Sequence, residues 1–230
     1  MSQIEYSGRD NLEVMREAKN YNNFLLKLVL CSAPDDAPIV DFGAGNGTFS
    51  LPVAESGRRI ICVETDLVLA AELADHGLEV VSSLEVVEDG SVDYLYSLNV
   101  LEHIEDDDAI ARLWFQKLRP EGRLFIYVPA FAVLYTSMDR KVGHFRRYTK
   151  QTLSRKLAHA GFEIAESRYA DSIGFFATLV YKLFDNGHGD VNVRLLRIYD
   201  KWVFPCSRVI DWVVSPFLGK NVFARAIKRA

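Results

Sequence analysis

An α/β chain built on a mostly parallel sheet is the expected fold, and three observations carry that expectation. Apolar runs of strand length alternate with helical stretches across residues 37–170, a pattern that implies right-handed crossovers and helices on both faces of the sheet. The run Asp41-Phe42-Gly43-Ala44-Gly45-Asn46-Gly47-Thr48 follows Pro38-Ile39-Val40, so a strand ends in glycines just before a helix. Glycines let a ligand approach the backbone, and a helix start offers it unsatisfied amides. The next apolar run, Arg59-Ile60-Ile61-Cys62-Val63, ends in Glu64, whose carboxylate is placed to accept both hydroxyl hydrogens of a ribose. Strand, glycine turn, second strand and acid together form a nucleotide-binding signature.

Each element follows from local pattern. Residues 12–30 read as a helix because Tyr21, Phe24, Leu25 and Leu28 recur at helical spacing before Pro34. Strands are expected at 39–42, 59–64, 78–82, 92–97 and 123–128, with helices near 48–56, 67–76 and 107–118. Pro120 and Gly122 should stop the last of these helices and turn the chain into the fifth strand. Residues 130–148 read as a loop-like excursion, followed by a helix over 150–160 that ends at Gly161 and a sixth strand at 162–169. The stretch 171–219 is too long for a plain connection and should be structured. There Leu195, Ile198, Tyr199, Trp202, Val203, Val209, Ile210 and Val213 recur at helical spacing, punctuated by Arg194, Arg197, Lys201 and Arg208. Such a stripe is usually core or dimer surface, and a basic, aromatic face can also rest on an anionic membrane. The chain therefore divides into a helical cap (1–36), a ligand-binding core (37–170), a helical insertion (171–219) and a last core strand (220–230).

At 230 residues and 49% hydrophobic content the chain can bury one substantial core. The formal charge of −4 argues against a generic nucleic-acid binder. That sum hides an asymmetry, since residues 191–230 hold eight Lys or Arg against two Asp, a local +6 that leaves −10 for the rest. Three separated cysteines, with no CxxC, suggest reduced thiols in a cytoplasmic protein rather than a zinc site. The first ten residues lack an apolar signal core, and the longest uncharged run, 124–138, is too short to span a bilayer.

The glycine spacing separates two ligand classes. A dinucleotide site wants a third glycine where Thr48 stands, whereas here the glycines fall at 43, 45 and 47. With Asp41 ahead and Glu64 beyond, the pattern closely resembles the first two motifs of class I S-adenosylmethionine-dependent methyltransferases. The runs Val92 to Ile104 and Leu118 to Ile126 resemble two later motifs of that family. The resemblance implies a Rossmann-like three-layer sandwich whose seventh strand, at Val222 to Ile227, is antiparallel and slots between the fifth and sixth. It implies S-adenosyl-L-methionine as cofactor, leaving as S-adenosyl-L-homocysteine, held by Tyr21, Asp41, Gly43, Ala44, Gly45, Glu64, Thr65, Ser83, Leu84, Asn99 and Val100. One departure is that Ser83 and Leu84 stand where many relatives place an aspartate for the adenine.

Gly143-His144-Phe145-Arg146-Arg147-Tyr148, followed by Gly161-Phe162, is similar to a methyltransferase subgroup often encoded beside glycosyltransferases. That likeness points to a small-molecule, sugar, glycan or lipid-linked acceptor, with oxygen as the expected methylated atom. His144 is the candidate base because neutral imidazole can take a hydroxyl proton near neutrality, and His103 is the alternative. Tyr135, Arg146, Arg147 and Tyr148 are the candidate acceptor contacts, Arg147 as an anchor for an acceptor carboxylate or phosphate. The plainer alternative makes Arg146 and Arg147 surface ion pairs and Tyr148 a core residue. No acidic cluster suggests a divalent site, so no metal is expected. An NAD-dependent oxidoreductase and a noncatalytic cofactor-binding or scaffold protein remain the alternatives, and a homodimer or a peripheral membrane contact through 191–218 the expected modes of association.

Overall fold

The computed structural model describes residues 9–34, 37–185, 187–189 and 192–229, and the parts of the expected cap, insertion and last strand at 1–8, 35, 36, 186, 190, 191 and 230 lie outside the described residues. The expected N-terminal helix is two helices, α1 (Arg9–Met15) and α2 (Lys19–Ser32). Ala18 leaves the helical region at φ −84°, ψ 66°, and the break is held by its amide and the Asn22 amide side chain, both bonded to the Met15 carbonyl. Alternation then continues through β1 (Ile39–Phe42), α3 (Ser50–Glu55), β2 (Ile60–Val63), α4 (Leu67–Asp75), β3 (Glu79–Val81), β4 (Val92–Leu98) and α5 (Asp107–Lys117). After these come β5 (Leu118–Pro129), α6 (Ser137–Lys141), α7 (Lys150–His159) and β6 (Glu163–Ala170). The insertion comprises α8 (Ser172–Leu183), α9 (Val193–Ile198), a π-helical turn (Tyr199–Val203) and α10 (Phe204–Val214), before β7 (Asn221–Ile227) closes the sheet.

The seven strands run in the order β3-β2-β1-β4-β5-β7-β6, and β7 is antiparallel to both neighbours. Residues on adjacent positions of β4 serve opposite faces, as strand geometry requires. Tyr94 and Tyr96 pack with Leu25 and Val29 of α2, while Leu95 packs with Trp114 of α5 and Leu153 and Leu157 of α7. Both faces are thus covered by helices, which is why the central strands are nearly continuous apolar runs. This is the Rossmann-like three-layer sandwich, with the β1–β4 crossover opening the carboxyl edge to a ligand.

Pro120 and Gly122 do not separate helix from strand. Leu118 already pairs with Val92, and residues 119–122 bulge before Arg123 pairs with Tyr94. Glu121 adopts φ 61°, and its amide bonds to Lys228 while the Gly122 carbonyl accepts from the Lys228 amide. The excursion after β5 is also more ordered than a loop. Thr136 and Asp139 form a reciprocal capping box that starts α6, a Thr-x-x-Asp signal that sequence reading passed over.

Candidate functional site

The carboxyl edge of the sheet carries the expected cofactor residues on successive strand ends. Gly43, after β1, has φ 84°, and a Cβ there would lie 2.3 Å from a Val100 methyl, so only glycine lets the β1 and β4 loops touch. Gly43 and Ala44 donate their amides to the Val63 carbonyl, which ties the loop to β2. Glu64 is buried beneath it and accepts from the Gly45 amide at 2.7 Å and the Asp66 amide at 2.8 Å. Each carboxylate oxygen retains acceptor capacity for a ribose hydroxyl. Leu12 of α1 lies 3.6 Å from the position a Gly45 Cβ would take, so α1 forms the roof of this loop. Thr65 is exposed beside Glu64, Leu84 is buried, and Ser83 caps the turn Leu84–Val86 through the Glu85 amide. Tyr21 reaches the same edge from α2, with its ring edge-on to Tyr127 at 6.2 Å and its hydroxyl near Asn99. Burial raises its phenol pKa.

Asp41 is the cofactor-side expectation that the structure relocates. Its Oδ2 accepts from the Ser50 hydroxyl at 2.5 Å and the Tyr96 hydroxyl at 2.7 Å inside the core. Burial pushes its pKa up to about 6. It braces the turn between β1 and α3 from below, because the inward face of a central strand points into the layer rather than at the edge.

The excursion folds back so that His144 meets the segment after β4. The Phe145 amide bonds to the Glu102 carbonyl at 2.8 Å, and the His144 and His103 rings stand edge-on at 4.5 Å. His144 Nδ1 lies 2.7 Å from Asp139 Oδ1, and Nε2 lies 3.8 Å from Glu102 Oε1. Because an ionised carboxylate only accepts, this bond places the ring proton on Nδ1 and leaves the Nε2 lone pair open. Against a burial penalty, hydrogen bonds from His144 and Arg147 hold Asp139 well below the usual carboxylate range. His103 moves the other way, since burial and its histidine neighbour lower its pKa to about 4. Of the two candidate bases, His144 is the one whose ring a carboxylate orients, with Nε2 facing Glu102.

The neighbouring expectations sort differently. Arg147 donates from Nε (2.8 Å) and Nη2 (3.0 Å) to Asp139 and from Nη1 (3.2 Å) to the Ala130 carbonyl, so it clamps Asp139 rather than standing open to an acceptor anion. Tyr148 is buried with its hydroxyl on Asp107 at 2.7 Å, and Arg146 pairs with the same carboxylate at 2.6 Å. These two follow the plainer alternative. Tyr135 donates to the His144 carbonyl at 2.7 Å and fixes the loop backbone.

Sequence reading missed Glu102, Asp139 and Lys220. Glu102 is 0% exposed, neither carboxylate oxygen has a partner beyond its own amide, and burial pushes its pKa up to about 8. Lys220, whose pKa burial lowers, feels the charges of Asp171, Arg147 and Asp139. Glu102, His103 and His144 also offer three ligand atoms within 4.8 Å of one another, a trio hidden by the 41-residue gap between His103 and His144. Asn99 (φ 54°), Phe131 (φ 58°) and Asp171 (φ 63°) mark the ends of β4, β5 and β6. Left-handed backbone at a bulky residue such as Phe131 persists only where surroundings enforce it, and it concentrates at functional edges.

Residues 15–167 match the methyltransferase-domain family. A ubiquinone biosynthesis O-methyltransferase of Xanthomonas axonopodis pv. citri is 32% identical over 156 residues, 58% of this chain and 65% of the relative. Its counterpart in Xanthomonas oryzae pv. oryzae is 36% identical over 104 residues, and the match spans 42% of its length. A Thermotoga maritima S-adenosylmethionine-dependent methyltransferase shares the fold at a TM-score of 0.65 and 17% identity, covering 96% of this chain and 95% of that one. A Haemonchus contortus phosphoethanolamine N-methyltransferase, solved with S-adenosyl-L-methionine, shares it at 0.60 and 19% identity over 92% of this chain and 53% of its own. The chain belongs to the methyltransferase-domain family.

Proposed function

We propose that this chain transfers a methyl group from S-adenosyl-L-methionine to a hydroxyl of a small-molecule, glycan or lipid-linked acceptor, with His144 as general base. When bound, the sulfonium supplies an activated methyl group. Glu64 would hold the ribose hydroxyls, and the Gly43 to Gly45 loop with Asn99 and Val100 would hold the rest of the cofactor. The residue cradle fits such a ligand, because the buried Glu64 carboxylate takes only one amide on each oxygen and keeps acceptor capacity for hydroxyls. Methyl transfer would form the acceptor oxygen–carbon bond and break the carbon–sulfur bond, releasing S-adenosyl-L-homocysteine, and His144 Nε2 would take the acceptor's hydroxyl proton. Asp139 fixes the ring tautomer and stabilises the imidazolium, while Arg147 holds Asp139 ionised.

The single observation that carries this reading is the pairing of His144 with the buried Asp139, with Nε2 turned toward the segment after β4. The O-methyltransferase names of the curated relatives support oxygen as the acceptor atom. The test uses methyl-labelled S-adenosyl-L-methionine and a panel of phenolic and sugar hydroxyl acceptors. His144→Ala should lower turnover about a hundredfold or more while cofactor affinity holds. Asp139→Asn should lower it by about tenfold or more through the wrong tautomer. Parental turnover in both variants would reassign the loop to a structural role.

A further inference from the structure

The insertion turns its apolar side chains outward. On α8, Phe176, Val180, Leu183 and Phe184 fall at i, i+4, i+7 and i+8 and are exposed, the last two at 81%. On α10 and the residues after it, Val209, Trp212, Val213 and Phe217 are exposed, Trp212 at 88%. Soluble surfaces seldom leave such large side chains contiguous without a partner. The opposite faces of these helices account for their packing. Ser207 and Asp211 of α10 bond to the first amides of α8, and Phe204 is buried against Tyr21 and Phe24 of α2.

Charge says what the outward face suits. Among the described residues of the insertion, Asp171, Asp200 and Asp211 are buried and engaged with backbone amides and Asp185 is half-buried on the Ser137 amide, whereas Lys182, Arg194, Arg197 and Lys201 are exposed, Arg197 paired with Glu17 at 3.0 Å. Among the described residues the exposed charge of the insertion is therefore mostly basic although its sequence is balanced. A second copy docked about a two-fold axis would bring this basic rim toward its own kind. An anionic bilayer offers opposite charge to the rim and an apolar layer to the aromatics.

The face is also joined to the candidate site. Lys182 donates to the Val133 carbonyl at 2.7 Å, and Asp185 accepts from the Ser137 amide at 2.8 Å at the start of α6, which carries Asp139. Phe175 packs edge-on against Phe131 at 5.4 Å, at the end of β5.

We infer that the outward faces of α8 and α10 dock on an anionic lipid bilayer and present the His144 loop to acceptors carried at that surface. The choice of a lipid-borne acceptor rests on the site reading above, but the vesicle contact does not.

The test is flotation of the full chain with phosphatidylcholine vesicles, with and without phosphatidylserine, at low and high salt. Anionic vesicles should carry the chain at low salt and release it at high salt. The triple variant Lys182→Gln, Arg194→Gln, Lys201→Gln should weaken partitioning about a hundredfold or more. Phe184→Glu and Trp212→Glu, made separately, should each abolish it, since both helices insert. Calorimetric affinity for S-adenosyl-L-methionine should be unchanged in all of them, which separates failure of the surface from failure of the site. No flotation at low salt, flotation indifferent to phosphatidylserine, or a solution dimer dispersed by Trp212→Glu would each overturn the inference.

Discussion

Glu102 and Asp139 both lie buried beside His144, yet their proton affinities move apart. Asp139 has a histidine and an arginine as hydrogen-bond donors, while Glu102 has none beyond its own amide. A native Glu102 that holds its proton up to about pH 8, against an ordinary 4.5, binds more protons than the unfolded chain between those values. Stability from this position is therefore greatest below about 4.5, falls as pH rises toward 8, and is flat above. Glu102→Gln keeps the shape and removes the titration, so its melting temperature should gain on the parent between pH 5 and pH 8. An equal offset at both pH values would contradict the assignment. The trio of Glu102, His103 and His144 bears on the expectation of metal-free transfer. Chelation should leave turnover unchanged, and loss restored by zinc would instead make the trio a cation site.

At the scale of elements, remote carboxylates cap helices that are distant in sequence. Asp200 accepts from the Asn20 and Tyr21 amides at 2.9 Å each, in the first turn of α2, and Asp211 accepts from the Asp171 and Ser172 amides at the start of α8. Removing Asp211 leaves two buried donors unsatisfied, and removing Asp200 leaves two part-buried ones. Asp200→Ala and Asp211→Ala should each lower unfolding stability by about 2 to 4 kcal/mol in urea melts, and a loss below about 0.5 kcal/mol would show water replacing the carboxylate. Neither cap was legible, because each joins residues tens to hundreds of positions apart. The strands were legible because fully covered parallel strands must be apolar throughout. The stripe of Leu195, Ile198, Trp202, Val209 and Val213 was legible as a stripe but not by direction: period alone says that one face is apolar, and here that face points out.

For the whole molecule, the local signals of the cofactor edge and the long-range ones of the acceptor edge differ in origin. Gly43, Glu64 and Asn99 end strands whose order follows from alternation, so position alone brought them together. The roles of Arg147 and Tyr148 depended on which carboxylate each would meet, Asp139 or Asp107, and that is set by the path of the excursion over the sheet. No helix among the described residues is long and apolar enough to cross a membrane. Titration calorimetry of the parent and Glu64→Gln with S-adenosyl-L-methionine, and with NAD as control, tests the central claim most directly. The parent should bind S-adenosyl-L-methionine and not NAD, and Glu64→Gln should weaken that binding by about 2 to 4 kcal/mol through lost charge-assisted hydrogen bonds. Heat from NAD alone, or equal S-adenosyl-L-methionine affinity in parent and variant, would contradict it.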